Sequence, residues 1–142
     1  EAGLFEPNLI LETPLRDQAR VESELCLRLR TLDADSRPTA LVTVNEETAI
    51  GAIHALRSLQ LKIPEDVSVV SFNNTVMSSV VEPALTSISP HLDYMAATAV
   101  QLVRKRAATP THQPERHFPQ KVVIPPSLVV RSSIMPYEKS TD

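Results

Sequence analysis

Three asparagines are the side chains in this sequence best placed to hold a small molecule. Asn73 and Asn74 close the apolar run Val67–Phe72, and Asn45 closes the run Ala40–Val44. A carboxamide donates as well as accepts a hydrogen bond, whereas a carboxylate only accepts. Each of the three also has an ordinary structural role open to it. Asparagine tolerates left-handed turn conformations, and Asn45 stands before Glu46-Glu47-Thr48 as an N-cap would. Phe72 is either a core residue or an aromatic wall beside the amides.

Other chemistry finds no footing. His112 and His117 share a proline-rich loop without a third ligand close in sequence, so no metal site is expected there. Glu46 and Glu47 are adjacent and point in different directions on a helix, which excludes a general acid/base pair. Cys26 has no activating partner in sequence and reads as a structural thiol. Gly3 and Gly51 are the only glycines, so no glycine-rich loop can cradle a phosphate. Neither an enzyme nor a cofactor is expected.

The elements that must position the amides follow from hydrophobic period. Val67, Val69, Val70 and Phe72 run without polar alternation, as in a parallel strand covered on both faces. Open parallel sheets bind ligands at the carboxyl ends of their strands, which is where Asn73 and Asn74 fall. Before this strand, Asn8–Leu11 reads as a short strand. Thr13 and Pro14 suit an N-cap and first helical position, and Val21, Leu25, Leu29 and Leu32 carry the helix they open. Ala40–Val44 is a second buried strand. The helix after it has Ala49, Ala52, Ile53 and Leu56 on one face, while Ile50 and His54 open a second.

After Asn74, Thr75–Val81 predicts one or two helical turns and Leu85–Ser89 a strand. His91–Ala107 predicts a long helix with Leu92, Met95, Ala96, Ala99, Leu102 and Val103 on one stripe. Thr109–Pro119 is a loop. Val122–Ile124 and Leu128–Val130 form an edge ribbon interrupted by Pro125-Pro126, and residues 134–142 are a polar tail. Strands alternating with helices, joined by right-handed crossovers, give an α/β fold with a doubly wound, mainly parallel sheet.

The chain has 142 residues, 42% hydrophobic and 22% charged, with a net charge of -3. That suits one globular domain without a basic face for nucleic acid. A lone cysteine fits a reducing, cytoplasmic setting. No apolar run approaches a membrane span, so no membrane association is expected. The opening Glu1-Ala2-Gly3-Leu4 lacks an initiator methionine, so a missing secretion signal says little about the parent protein.

Four phrases in order, PTALVTVNEETAIGAIHAL at Pro38–Leu56, KIPEDVSVVSFNN at Lys62–Asn74, EPALTSI at Glu82–Ile88 and LVVRSS at Leu128–Ser133, resemble the C-terminal half of lactose-repressor/galactose-repressor family transcription regulators. The SFNN ending, in place of the commoner GFDD, resembles the maltose-operon repressor branch. The resemblance implies a periplasmic-binding-protein-like type I core whose C-terminal lobe is residues 1–133. It implies a sugar effector, maltose or a maltodextrin, held between two lobes, with Asn45, Asn73 and Asn74 as contacts beside Phe72. It implies a homodimer formed through Ile50, Ile53, His54, Met77, Val80 and Val81, although burial within the monomer is open for the same side chains.

Operator DNA would be bound only through an N-terminal domain absent from this chain. A strand and helix of the lobe would precede Glu1, and residues 91–107 resemble a helix that packs on the absent lobe. Glu46 replaces a usual aspartate, as do Asn73 and Asn74, so the hydroxyl pattern recognised should differ from that of an FDD member. The alternative from a different class is a periplasmic or extracellular sugar-binding protein of a transporter, which shares the fold and the site position.

Overall fold

A computed structural model describes residues 10–12, 17–33 and 36–136. Helix α1 (Gln18–Arg30) opens at Asp17, whose carboxylate accepts from the Arg20 N–H at 3.0 Å, and closes with Arg28 and Arg30 at its negative pole. Val21, Leu25 and Leu29 recur every four residues and form its buried stripe. The expected cap at Thr13 and Pro14 lies outside the described residues, as do Asn8 and Leu9. Ile10 and Leu11 are not in a strand.

Next come β1 (Ala40–Val42), α2 (Glu46–Ser58), β2 (Ser68–Phe72), α3 (Met77–Val80), β3 (Thr86–Ser89), α4 (Leu92–Ala108) and β4 (Ser127–Val129). A 3-10 turn at Pro114–Arg116 interrupts the long loop between the last two. The sheet order is β1-β2-β3-β4. β1 and β2 are parallel with Val42 opposite Val70, β2 and β3 are parallel with Phe72 opposite Ile88, and β4 runs antiparallel to β3. Of the expected ribbon only the second half pairs; Val122–Ile124 lie in no strand. Pro125-Pro126, with no N–H groups to donate, separate the two.

Leu25 and Leu29 of α1 and Ala49, Ala52, Ile53 and Leu56 of α2 pack with Val67, Val69 and Leu85 of the sheet into one core. Burying each leucine, isoleucine or valine among them stabilises the fold by about 1.5–3 kcal/mol, and each alanine by less. The helices meet most closely at Gly51, where an added Cβ would lie 2.7 Å from the Gln18 carbonyl oxygen and 2.9 Å from Val21 Cβ.

The expected cover on both faces of β2 is corrected here. Val67 and Val69 are buried under α1 and α2, but Val70, on the opposite face of the pleat, is half-buried and Phe72 is 39% exposed. Val42, on the same open face of β1, is 72% exposed. Among the described residues, therefore, the core lies on one side of a mainly parallel sheet. The stripe on α4 is uncovered as well: no residue of that helix is buried.

Candidate ligand-binding site

β1 and β2 run parallel, so their carboxyl ends share one edge of the sheet, and that edge carries the amides. Asn45 caps α2, with extended backbone and its Oδ1 accepting from the Thr48 N–H at 2.8 Å. The oxygen is thus occupied and the half-buried side chain keeps its NH₂ donors for another partner. Thr43, buried just before it, donates its hydroxyl toward the carbonyls of Val70 and Asn45, both 3.2 Å away. This fixes the β1–α2 turn against β2.

Asn73 follows β2 directly. Its N–H donates to the Ile88 carbonyl at 3.0 Å, which extends the β2–β3 ladder by one step. Its φ of 89° and the 49° of Asn74 place both asparagines in the left-handed region, the turn role that asparagine tolerates. The Asn73 side chain is exposed and makes no hydrogen bond among the described residues. Phe72, the residue before it, is 39% exposed and so is not part of the core.

Asn74 is committed to the fold. Its N–H donates to Ser87 Oγ at 3.0 Å, and its Oδ1 accepts from the Arg131 guanidinium at 2.8 Å. Arg131 also donates to the Leu85 carbonyl at 2.7 Å, bridging the chain after β4 to the strand before it. Only the NH₂ of Asn74 stays available for a ligand.

The six residues expected at a homodimer surface divide. Ile53 is corrected: at 1% exposure it is a core residue, because it points from α2 into the packing with α1 and the sheet. Val81 is partly buried against that core, and Ile50 is half-buried. His54 is exposed with Nδ1 3.8 Å from a Glu22 carboxylate oxygen, and Met77 and Val80 are exposed on α3.

Two residues with a part in this site were not assigned one from the sequence. Glu46 has no role in the sequence beyond following the Asn45 cap and replacing an aspartate, but its carboxylate is buried and bonds across to the segment after Asn74. Arg131 lies within LVVRSS, where no role had been attached to it. The available signal was an ionisable residue inside an otherwise apolar or hydroxyl-rich phrase, since such a group is rarely buried without partners.

A cavity of about 750 Å³ lies between α1 and β1, lined mostly by apolar groups such as Leu25, Leu29, Leu32, Leu41 and Val42. The polar side chains of its lining include Glu12, Arg28, Thr43 and Thr48, and Thr43 and Thr48 border Asn45. Among the described residues no group of three or more His, Cys, Asp or Glu could hold a metal, and no helix is long and apolar enough to cross a membrane. The Arg20 guanidinium is held above its ordinary value by the hydrogen bond to Glu24, on the exposed face of α1.

Comparison with known proteins agrees with this architecture. Residues 1–134 match the family described as periplasmic binding protein-like domain. The transcriptional regulator DegA of Bacillus subtilis, named as an HTH-type regulator, is 36% identical over 137 residues, covering 96% of this chain and 38% of that protein. The structure of a regulatory protein of the LacI family from Chloroflexus aggregans superposes with a TM-score of 0.77 at 26% identity, over 92% of this chain and 44% of the other. A LacI-family transcriptional regulator from Lactobacillus casei, solved with bound sucrose, shares the fold with a TM-score of 0.66 at 23% identity, over 82% and 40%. The chain thus spans about two fifths of the length of the proteins it matches. Those relatives are regulators, not enzymes, and the chain belongs to the periplasmic binding protein-like domain family.

Proposed function

We propose that this chain is the effector-binding and dimerisation part of a LacI-family transcriptional repressor of carbohydrate utilisation genes, acting in the cytoplasm. One observation carries the sugar reading. Asn45 and Asn73, on the same carboxyl edge, each keep polar groups unused by the fold, and Asn73 and Phe72 there are exposed. A surface of that kind, concave only once something faces it, suits one wall of a two-walled cleft. Similarity to a sucrose-bound regulator supports a saccharide as the class of ligand, and the SFNN phrase supports maltose or a maltodextrin within it. Similarity to transcriptional regulators favours this over a sugar-binding component of a transporter.

The mechanism is linkage. A sugar that binds one arrangement of two lobes more tightly than another shifts the population by its differential affinity and no further. The shift would pass to a homodimer formed through Ile50, His54, Met77 and Val80, and from there to operator DNA held by a separate N-terminal domain. Titration calorimetry on the complete protein with maltose, sucrose and ribose tests the reading. Binding by wild type, weakened by Asn45→Asp and by Asn73→Gly, is expected; saccharide binding unaffected by both substitutions would refute the placement of the site.

A further inference from the structure

We infer that Glu46 is a positioning residue that moors the 75–80 segment to α2, so that one buried carboxylate sets both the loop bearing Asn73 and the exposed surface of α3. Glu46 is 4% exposed. Its Oε1 accepts from the Thr75 N–H at 3.0 Å and from Ser78 Oγ at 2.7 Å, and Ser78 is itself fully buried. Hydrogen bonds to an ionised acceptor are shorter and roughly twice as strong as neutral ones, and burial keeps water from replacing them.

Within the moored segment the backbone bonds are those of one or two turns, from Ser78 N–H to the Thr75 carbonyl at 3.0 Å and from Ser79 N–H to the Val76 carbonyl at 3.1 Å. α3 has four residues, far short of the dozen or so at which an isolated helix becomes even marginal. Its cap, Val76, offers no side-chain acceptor. Neighbouring ties run to β3 and to the residue before it, through Asn74 N–H to Ser87 Oγ and through Leu85 N–H to the Ser78 carbonyl at 2.7 Å. Among the described residues, its hydrogen bonds to α2 both end on Glu46 Oε1.

Position makes this tie consequential. Glu46 directly follows Asn45, and Ile50 and His54 follow it at four and eight residues, on the same stripe of α2. Holding Ser78 against Glu46 sets α3, with Met77 and Val80, beside that stripe. It also fixes Thr75, two residues beyond Asn73. A shorter carboxylate, lacking one methylene, would have to draw the segment inward to make the same two bonds.

The inference rests on the proposed function for its consequences and on Glu46 alone for its cause, so the test separates the two. It uses the complete protein as wild type, Glu46→Ala, Glu46→Gln and Ser78→Ala. Hydrogen exchange followed by mass spectrometry reads the tie without any ligand. Peptides spanning residues 73–81 should lose about tenfold in protection in Glu46→Ala, with smaller losses in Glu46→Gln, which retains an acceptor oxygen, and in Ser78→Ala. Peptides from α1 should not change.

Titration with maltose, sucrose and ribose, and sedimentation equilibrium, then read the effect on function. Sugar and dimer affinities should fall together in Glu46→Ala, about tenfold each, whereas Asn73→Gly should lower sugar affinity alone. Unchanged exchange at 73–81 in Glu46→Ala and Ser78→Ala overturns the inference. Faster exchange spread equally over α1 also overturns it, since that is general loosening. If Glu46→Ala fails to fold, the Glu46→Gln and Ser78→Ala proteins carry the same comparison. If the segment is released but wild type binds none of the three sugars, the positioning role stands and the sugar reading falls. If wild type binds sugar and dimerises, and release alters neither, the role assigned to Glu46 is refuted.

Discussion

Substituting Asn73 separates its two roles, because they load different atoms. The backbone role comes from φ of 89°. For an ordinary L-residue a left-handed backbone costs about 1–2 kcal/mol, and glycine escapes that cost. Glycine instead gives up about 0.4–1 kcal/mol through the freer unfolded chain. The net expectation is that Asn73→Ala is about 1 kcal/mol less stable than Asn73→Gly, with Asn73→Gly close to wild type. The side-chain role is a different matter, since the exposed carboxamide makes no hydrogen bond among the described residues and its loss costs the fold no bond. Its expected value lies in one neutral hydrogen bond to a sugar hydroxyl, worth about 0.5–1.5 kcal/mol, or roughly two- to thirteenfold in affinity. Urea denaturation should therefore separate alanine from glycine, while calorimetric titration with maltose, sucrose and ribose should not. If Asn73→Gly binds sugar as tightly as wild type, the asparagine serves the turn alone and the ligand contact assigned to it is wrong.

Three further predictions follow from neighbouring geometry. Asn45→Asp keeps an oxygen for the Thr48 N–H and a charge favourable at a helix start, so stability should hold to within about 0.5 kcal/mol while sugar affinity drops; a drop in the urea midpoint instead would mean the NH₂ served the fold. Gly51→Ala gains about 1 kcal/mol of helix propensity but drives a methyl group into the Gln18 carbonyl and Val21, and overpacking of about 1–3 kcal/mol should win, lowering the thermal midpoint. Asn74→Asp turns the contact with Arg131 into an ion pair, and the guanidinium should hold the introduced carboxyl below its unfolded value of about 4. The gain, roughly 1 kcal/mol, should be present at neutral pH and vanish as pH falls through the lowered folded value; urea midpoints at pH 7 and pH 3 check the sign.

The pattern of apolar residues made most of the sheet and its helices legible because it reports local geometry. Val21, Leu25 and Leu29 announce a helix by their spacing, and Val67, Val69, Val70 and Phe72, crowded into six residues, announce a strand. What that pattern could not report was which faces would be covered. Val70 and Phe72 have the same chemistry as Val67 and Val69, and their exposure depends on where α1 and α2 lie, which is a property of the whole chain. Ile53 failed as a surface residue for the same reason: a helix apolar on two sides shows that two contacts exist, not which of them is internal.

The polar half of the site was less legible still, and the cause lies in what asparagine can do. Asn45, Asn73 and Asn74 look alike in sequence, yet the first is half spent on a helix cap, the second is unspent, and the third is tied to Ser87 and Arg131. The cap partner of Asn45 lies 3 residues away and is legible locally, but the partners of Asn74 lie 13 and 57 residues away, so no local window separates Asn74 from Asn73. The same holds for Glu46, whose partners Thr75 and Ser78 are 29 and 32 residues distant. Hydrogen bonds between residues far apart in sequence decide which polar groups remain free, and recognition can use only what remains. If the edge binds a sugar as proposed, its specificity rests with Asn73, with the NH₂ of Asn45 and with the buried ties of Glu46 to Thr75 and Ser78.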